Sequence, residues 1–72
     1  MEVPELARTL REAVNLAPEG ERVVSIHLFG IRHARDLREV SLRDVVDGAG
    51  IPRSYVTEVH KGMRLAEYVV PR

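Results

Sequence analysis

The 72-residue chain contains no cysteine. That excludes disulfides, thiolate metal sites and cysteine nucleophiles together. It also has no apolar run longer than a few residues, so nothing in it reads as a membrane span. The opening Met1-Glu2-Val3-Pro4-Glu5 lacks the basic start and apolar stretch of a secretion signal, and the expectation is a soluble, cytoplasmic protein. Net charge is absent too: 11 Lys plus Arg stand against 11 Asp plus Glu. No glycine-rich phosphate loop, nucleophile elbow or zinc motif occurs, and the expectation is a protein without cofactor or catalytic activity.

What is present is a globular composition, 44% hydrophobic and 31% charged, in a length that fits one domain over residues 1–72. A chain this short buries only about 60% of its unfolded surface, so tight helix packing or self-association must supply stability. Val3, Leu6, Ala7, Leu10, Ala13 and Val14 recur at three and four, one stripe of a helix from Pro4 to Leu16. Pro4 suits a first helical turn and Glu5 its positive end. Glu21 to Phe29 is ambiguous. Val24, Ile26 and Leu28 alternate as in a strand, whereas Val23 with His27, and Val24 with Leu28 and Ile31, pair at helical spacing. An isolated strand has no partner here, so a helix ending at Gly30 is expected. Ile31 to Val40 suggests one or two turns around Ala34 and Leu37. The fold class is therefore all-α, a small bundle of four to five short helices. At the C-terminus Leu65, Ala66 and Tyr68 form a last turn, or Tyr68 to Val70 a short extended segment.

The segment Ser41 to Gly62 carries most of the information. Ser41 is placed to cap a helix, with Asp44 three residues on to return the bond as in a capping box. Leu42, Val45, Val46 and Ala49 then share a face, Gly50 stands where the chain must turn, and Ile51 plugs the corner. Pro52 opens a second helix, Arg53 to Lys61, whose buried stripe is Val56 and Val59 and which Gly62 closes. This is the spacing of a helix-turn-helix.

The stretch resembles the DNA-binding segment of Lac-repressor-type regulators, roughly [ST]-L-x-D-V-A-x-x-A-G-V-S-x-x-T-V-S-x-V. Ser41, Leu42, Asp44, Val45, Ala49, Gly50, Val56 and Val59 match, with Ile51 conservative for valine. The resemblance covers 22 of the 72 residues; Met1 to Val40 has no counterpart there. Val46 replaces a small residue where the two helices touch, and Pro52 and Glu58 also depart from the pattern. Gly48 weakens the first helix by roughly 1 kcal/mol relative to alanine.

The resemblance implies that the helix Arg53 to Lys61 enters a major groove of double-stranded DNA. It puts Arg53, Ser54, Thr57, Glu58 and Lys61 on the outward face, with Arg53 on guanine and Glu58 on a cytosine amino group. Ser54 and Thr57 contact bases or phosphates, and Tyr55, Lys61, Ser41 and Arg43 anchor the backbone. Charge argues the other way, since binding draws largely on counterion release. Residues 52–72 and 30–43 each carry a surplus of two basic side chains, and residues 1–29 hold five acidic against three basic. So modest a polarity suits a homodimer that sums two faces. A second reading, favoured by neutrality, by Glu58 on the outward face and by the apolar C-terminal segment, is an adaptor that docks a protein partner on the same scaffold. His27, His33 and His60 are separated by six and twenty-seven residues and lack any cysteine or close paired carboxylate, so no metal site is expected.

Overall fold

The computed structural model describes residues 1–72, and every regular element is helical. Helix α1 spans Val3–Leu16, α2 Arg22–Arg32, α3 Ala34–Leu37, α4 Leu42–Ala49 and α5 Val56–Leu65, with a single 3-10 turn, Arg53–Tyr55, leading into α5. Two helix pairs make the molecule: α1 lies on α4 and α2 on α5, while the one-turn α3 bridges α2 and α5.

The core follows from the helical stripes. Leu6, Leu10 and Val14 of α1, one turn apart, meet Val45, Val46 and Ala49 of α4, and Ile26, Phe29, Leu37 and Val59 complete one cluster. Seven of the large side chains, Leu6, Leu10, Ile26, Leu37, Val45, Val46 and Val59, are sealed from solvent. Each contributes on the order of 1.5–3 kcal/mol relative to an exposed position. Val46, larger than the residue of the resembling pattern, is accommodated in full.

The Glu21–Phe29 ambiguity resolves to helix. Burial falls on Ile26, Phe29 and Gly30, at helical spacing, while Val23 and Val24 stay exposed. Gly30, expected to end this helix, lies inside it. A Cβ there would stand 2.5 Å from the Val59 carbonyl oxygen and 2.9 Å from Gly62 Cα. A Cβ on Gly62 would strike the His27 carbonyl oxygen in turn. The two glycines are therefore the crossing point of α2 and α5, where one backbone rests on the other. Gly62, likewise expected as a terminus, lies within α5, which continues to Leu65. Gly48 plays a related part in the other pair, for its missing Cβ would meet Ala7 Cβ at 2.9 Å.

The turn between α4 and α5 forms as the spacing predicts. Gly50 adopts φ 76°, left-handed backbone that suits glycine, and Ile51 N–H reaches back to the Val46 carbonyl at 3.4 Å. Ser41 Oγ accepts the Asp44 N–H at 3.3 Å; only this forward half of the expected capping box forms. The reciprocal arrangement appears instead at α1, where Glu2 N–H donates to Glu5 Oε1 at 3.0 Å. Arg11 reaches across from α1 to the end of α4, donating to the Gly48 carbonyl at 3.0 Å and the Ala49 carbonyl at 3.3 Å. A cation there satisfies carbonyls that have no helical partner.

The second helix of the motif starts later than expected. Pro52 stays extended at ψ 143°, and Tyr55 N–H closes the 3-10 turn onto its carbonyl at 3.0 Å. The C-terminus takes the helical option in part. Tyr68 and Val69 N–H both bond the Leu65 carbonyl, and Val69 to Arg72 pair with no strand.

Candidate nucleic-acid interface

Helix α5 has two chemically different sides. Val59 and Gly62 face α2 and the core, with Tyr55, Val56 and Met63 half-buried beside them. On the other side Thr57, His60, Lys61 and Arg64 are exposed, preceded by Arg53 and Ser54 in the 3-10 turn. These positions recur at three and four, so they lie along one outward face. The C-terminal turn borders it, since Tyr68 lines one groove with Lys61 and Arg64.

The structure keeps Ser54, Thr57 and Lys61 on this face, with Ser41 and Arg43 exposed at the start of α4. It brings three of the expected site residues, Arg53, Glu58 and Tyr55, elsewhere. Arg53 turns toward α4 and binds Asp47 in bidentate fashion, Nε to Oδ1 at 3.1 Å and Nη2 to Oδ2 at 3.0 Å. The guanidinium hydrogen bond holds the Asp47 carboxyl below the usual range, and Asp47 raises Arg53 in return. The free guanidinium expected to face guanine is thus engaged across the turn.

Glu58 is the clearer correction. It was expected outward, to accept from a base; it is half-buried and turned toward α2. His27 Nε2 donates to Glu58 Oε1 at 2.7 Å, and Lys61 Nζ stands 3.6 Å from Oε2. The hydrogen bond from His27 holds the Glu58 carboxyl below its ordinary value against a desolvation that would raise it. Tyr55, expected to anchor the DNA backbone, is half-buried against the core cluster.

Two members of the face were missed in the sequence. His60 falls three residues after Thr57, a signal within reach of helical periodicity. Arg64 lies beyond Gly62, where the spacing predicts the helix to end, on a turn that the structure adds to α5. His27, the partner of Glu58, is 31 positions away and carried no local signal. A shallow groove beside this pair is lined by His27, Lys61, Arg64, Leu65 and Tyr68.

The remaining histidine, His33, sits at the α2–α3 junction with its ring centroid 5.1 Å from that of Phe29. Burial pushes its pKa down, opposed by Asp36. No group of three or more His, Asp or Glu side chains stands close enough to hold a metal ion, and no helix is long and apolar enough to cross a membrane.

No curated protein and no solved structure matches the chain. A family described as "HTH-like domain" does, over residues 2–72. The match extends the helix-turn-helix reading from the Ser41–Gly62 segment to the bundle that carries it, α1 to α3 included. With two short helices set about a left-handed Gly50, and a family match of nearly full length, the chain belongs to the HTH-like domain family.

Proposed function

We propose that the protein is a small cytoplasmic DNA-binding transcriptional regulator that docks as the Lac-repressor-type segment does, with α5 in the major groove, and works as a homodimer. One observation supports this most: α5 is buried along Val59 and Gly62, while Ser54, Thr57, His60, Lys61 and Arg64 are exposed on its outer side. In this reading Ser54 and Thr57 meet base edges or adjacent phosphates, and Lys61 and Arg64 take phosphates. Ser41 and Arg43 meet the backbone at the start of α4. Arg53 serves as a brace between the two motif helices, and contacts guanine only when it leaves Asp47. Glu58 orients Lys61 and takes no part in base reading.

Fluorescence anisotropy with random-sequence duplexes at low salt tests the proposal. Binding with Kd on the order of 1–100 µM, falling as salt rises, is the expected result for non-specific contact. No binding at several hundred micromolar protein overturns it.

A protein-docking adaptor is the second reading, favoured by zero net charge and by exposed Tyr68 and Val70. Ionic strength separates the two. A DNA complex weakens steeply with salt, whereas an apolar protein contact barely changes.

A further inference from the structure

A cavity of about 390 Å³ lies where the end of α1 and the start of α2 meet the turn that joins α4 to α5. It shares no residue with the outer face of α5. Arg11 and Asn15 of α1 and Arg22 of α2 form its polar wall, over a small apolar floor of Val14, Ala49 and Ile51. No carboxylate lines it, and Asp47, three residues before Gly50, is occupied with Arg53. In a chain of zero net charge, two guanidiniums on one cavity without an acid are a local imbalance.

The hydrogen bonding around this cavity fits it for an anion. All four terminal carbonyls of α4 are taken. Those of Val46 and Asp47 accept the Ile51 and Gly50 N–H at 3.4 and 3.0 Å, and those of Gly48 and Ala49 accept from Arg11 at 3.0 and 3.3 Å. The negative end of the helix, which would otherwise repel an anion, is thereby covered. The same two bonds hold Arg11 in place through Nε and Nη2. Its end-on edge, Nη1 with Nη2, keeps two parallel N–H groups for the oxygens of one ligand. Arg22 and Asn15 have no side-chain partner within the chain, and both are exposed.

We infer that this cavity is a binding site for a small polar molecule that carries a phosphomonoester. The phosphate sits between Arg11 and Arg22, Asn15 hydrogen-bonds the polar body of the ester, and that body rests on Val14 and Ile51. Charge selects the monoester. Near neutral pH it carries close to two negative charges, which two guanidiniums match, whereas a carboxylate or the diester of a nucleic-acid backbone brings one. Size agrees, since the cavity falls at the lower end of the roughly 300–1,000 Å³ of small-molecule pockets. Gly50 and Pro52 also border it, so an occupant bears on the turn from which α5 hangs. The inference does not rest on the DNA-binding reading.

Nuclear magnetic resonance titration of the nitrogen-15-labelled full chain, at constant ionic strength and pH near 7.5, tests the site. The probes are glycerol 3-phosphate, inorganic phosphate and dimethyl phosphate. Glycerol 3-phosphate should saturate with Kd on the order of 1 mM and move the amide signals of Asn15, Arg22, Gly50 and Ile51. Inorganic phosphate, lacking the body, should bind about threefold more weakly, and the singly charged diester at least tenfold more weakly. Arg22→Gln should weaken glycerol 3-phosphate at least fivefold and Asn15→Ala about threefold, with helical circular dichroism unchanged. Arg38→Gln, also exposed but outside the cavity, should leave it alone. Arg11→Gln should abolish binding; if uncovering the α4 carbonyls costs it the fold, Arg22→Gln decides. No saturation by any probe overturns the inference, as do shifts confined to Lys61, Arg64 and Tyr68, or an Arg22→Gln variant that binds as the wild type does. Dimethyl phosphate as tight as the monoester also overturns it, because the cavity then takes the backbone of a strand. Duplex anisotropy on the same chain separates the two readings. A protein that binds the monoester and no duplex leaves the site standing and defeats DNA binding; one that binds duplex and no monoester does the reverse.

Discussion

Asp47 near the end of α4 grips Arg53 with both carboxylate oxygens, 3.0 and 3.1 Å from the guanidinium nitrogens, so the turn of the motif is bridged by an ion pair as well as by backbone. The pair is largely solvent-exposed, which leaves it little weight in stability. Its weight falls on binding, because it spends an arginine and places a carboxylate close to where a phosphate must approach. Asp47→Asn should raise duplex affinity roughly three- to tenfold at low salt, through one charge removed and one arginine released. The melting temperature should hardly move. Arg53→Ala in the wild-type background should weaken binding less than it does in the Asp47→Asn background. A double-mutant cycle by anisotropy measures this coupling.

Gly30 and Gly62 permit no side chain where α2 crosses α5. Gly30→Ala puts a methyl 2.5 Å from the Val59 carbonyl oxygen, and the obstruction is backbone, which cannot swing aside. The gain in helix propensity, about 1 kcal/mol, is smaller than the overpacking cost of about 1–3 kcal/mol or more when two helix axes are forced apart. In so small a domain the expected outcome is a lower urea midpoint and partial loss of helical signal at 37 °C for Gly30→Ala and for Gly62→Ala. Gly50→Ala meets no atom, but its φ of 76° costs about 1–2 kcal/mol. It should lower the midpoint by the equivalent of that amount, with the helix packing and the helical signal intact.

The same glycines show where local pattern ends as a guide. Gly50 was legible because its role is local: a left-handed residue after an amphipathic turn is needed whatever lies elsewhere. The stripe of α1 and the Ser41 cap were legible for that reason too. Gly30 and Gly62 carry an identical letter with an opposite meaning, set by a helix some thirty residues away, and so were misread as stops. Glu58 was misread likewise. Helical spacing places it beside the outward face, and only the arrival of His27 from α2 turns it inward. The Asp47–Arg53 pair, six residues apart across a turn, required the 3-10 start that the spacing did not show.

Acid should unfold the protein by two routes of the same sign. The Glu58 carboxyl, held down by His27, is ionised in the folded state to lower pH than in the unfolded chain. Its stabilisation is complete above the unfolded carboxylate range and is lost as pH falls through the folded value. His33, held down by burial, remains neutral in the fold where the unfolded chain already takes a proton. Stability therefore declines as pH falls below the ordinary histidine value of 6.5. Melting followed by circular dichroism from pH 4 to 8 should show a decline beginning near pH 6.5 and steepening in the carboxylate range. Glu58→Gln should remove much of the steep part, and His33→Asn much of the earlier part. Unchanged profiles in both variants would mean that other groups set the acid limb.

Lys61 and Arg64 are adjacent along the outer face of α5, yet the structure gives them different freedom. Lys61 is partly drawn to Glu58 at 3.6 Å, whereas Arg64 has no carboxylate partner. If both neutralise phosphates, each should contribute about one unit to the slope of log Kd against log salt. Removal of Arg64 should lower the slope by nearly the full unit, and removal of Lys61 by somewhat less, since its charge is shared. Both Lys61→Ala and Arg64→Ala should weaken all duplexes alike, as phosphate contacts carry no sequence information. Thr57→Ala should behave differently, with the salt slope kept and the preference relaxed at one base pair. Anisotropy titrations from 50 to 200 mM salt on a duplex selected with the wild type and single-base variants of it separate the two patterns. If Thr57→Ala changes the slope and Lys61→Ala the preference, α5 lies in the groove rotated from the orientation proposed.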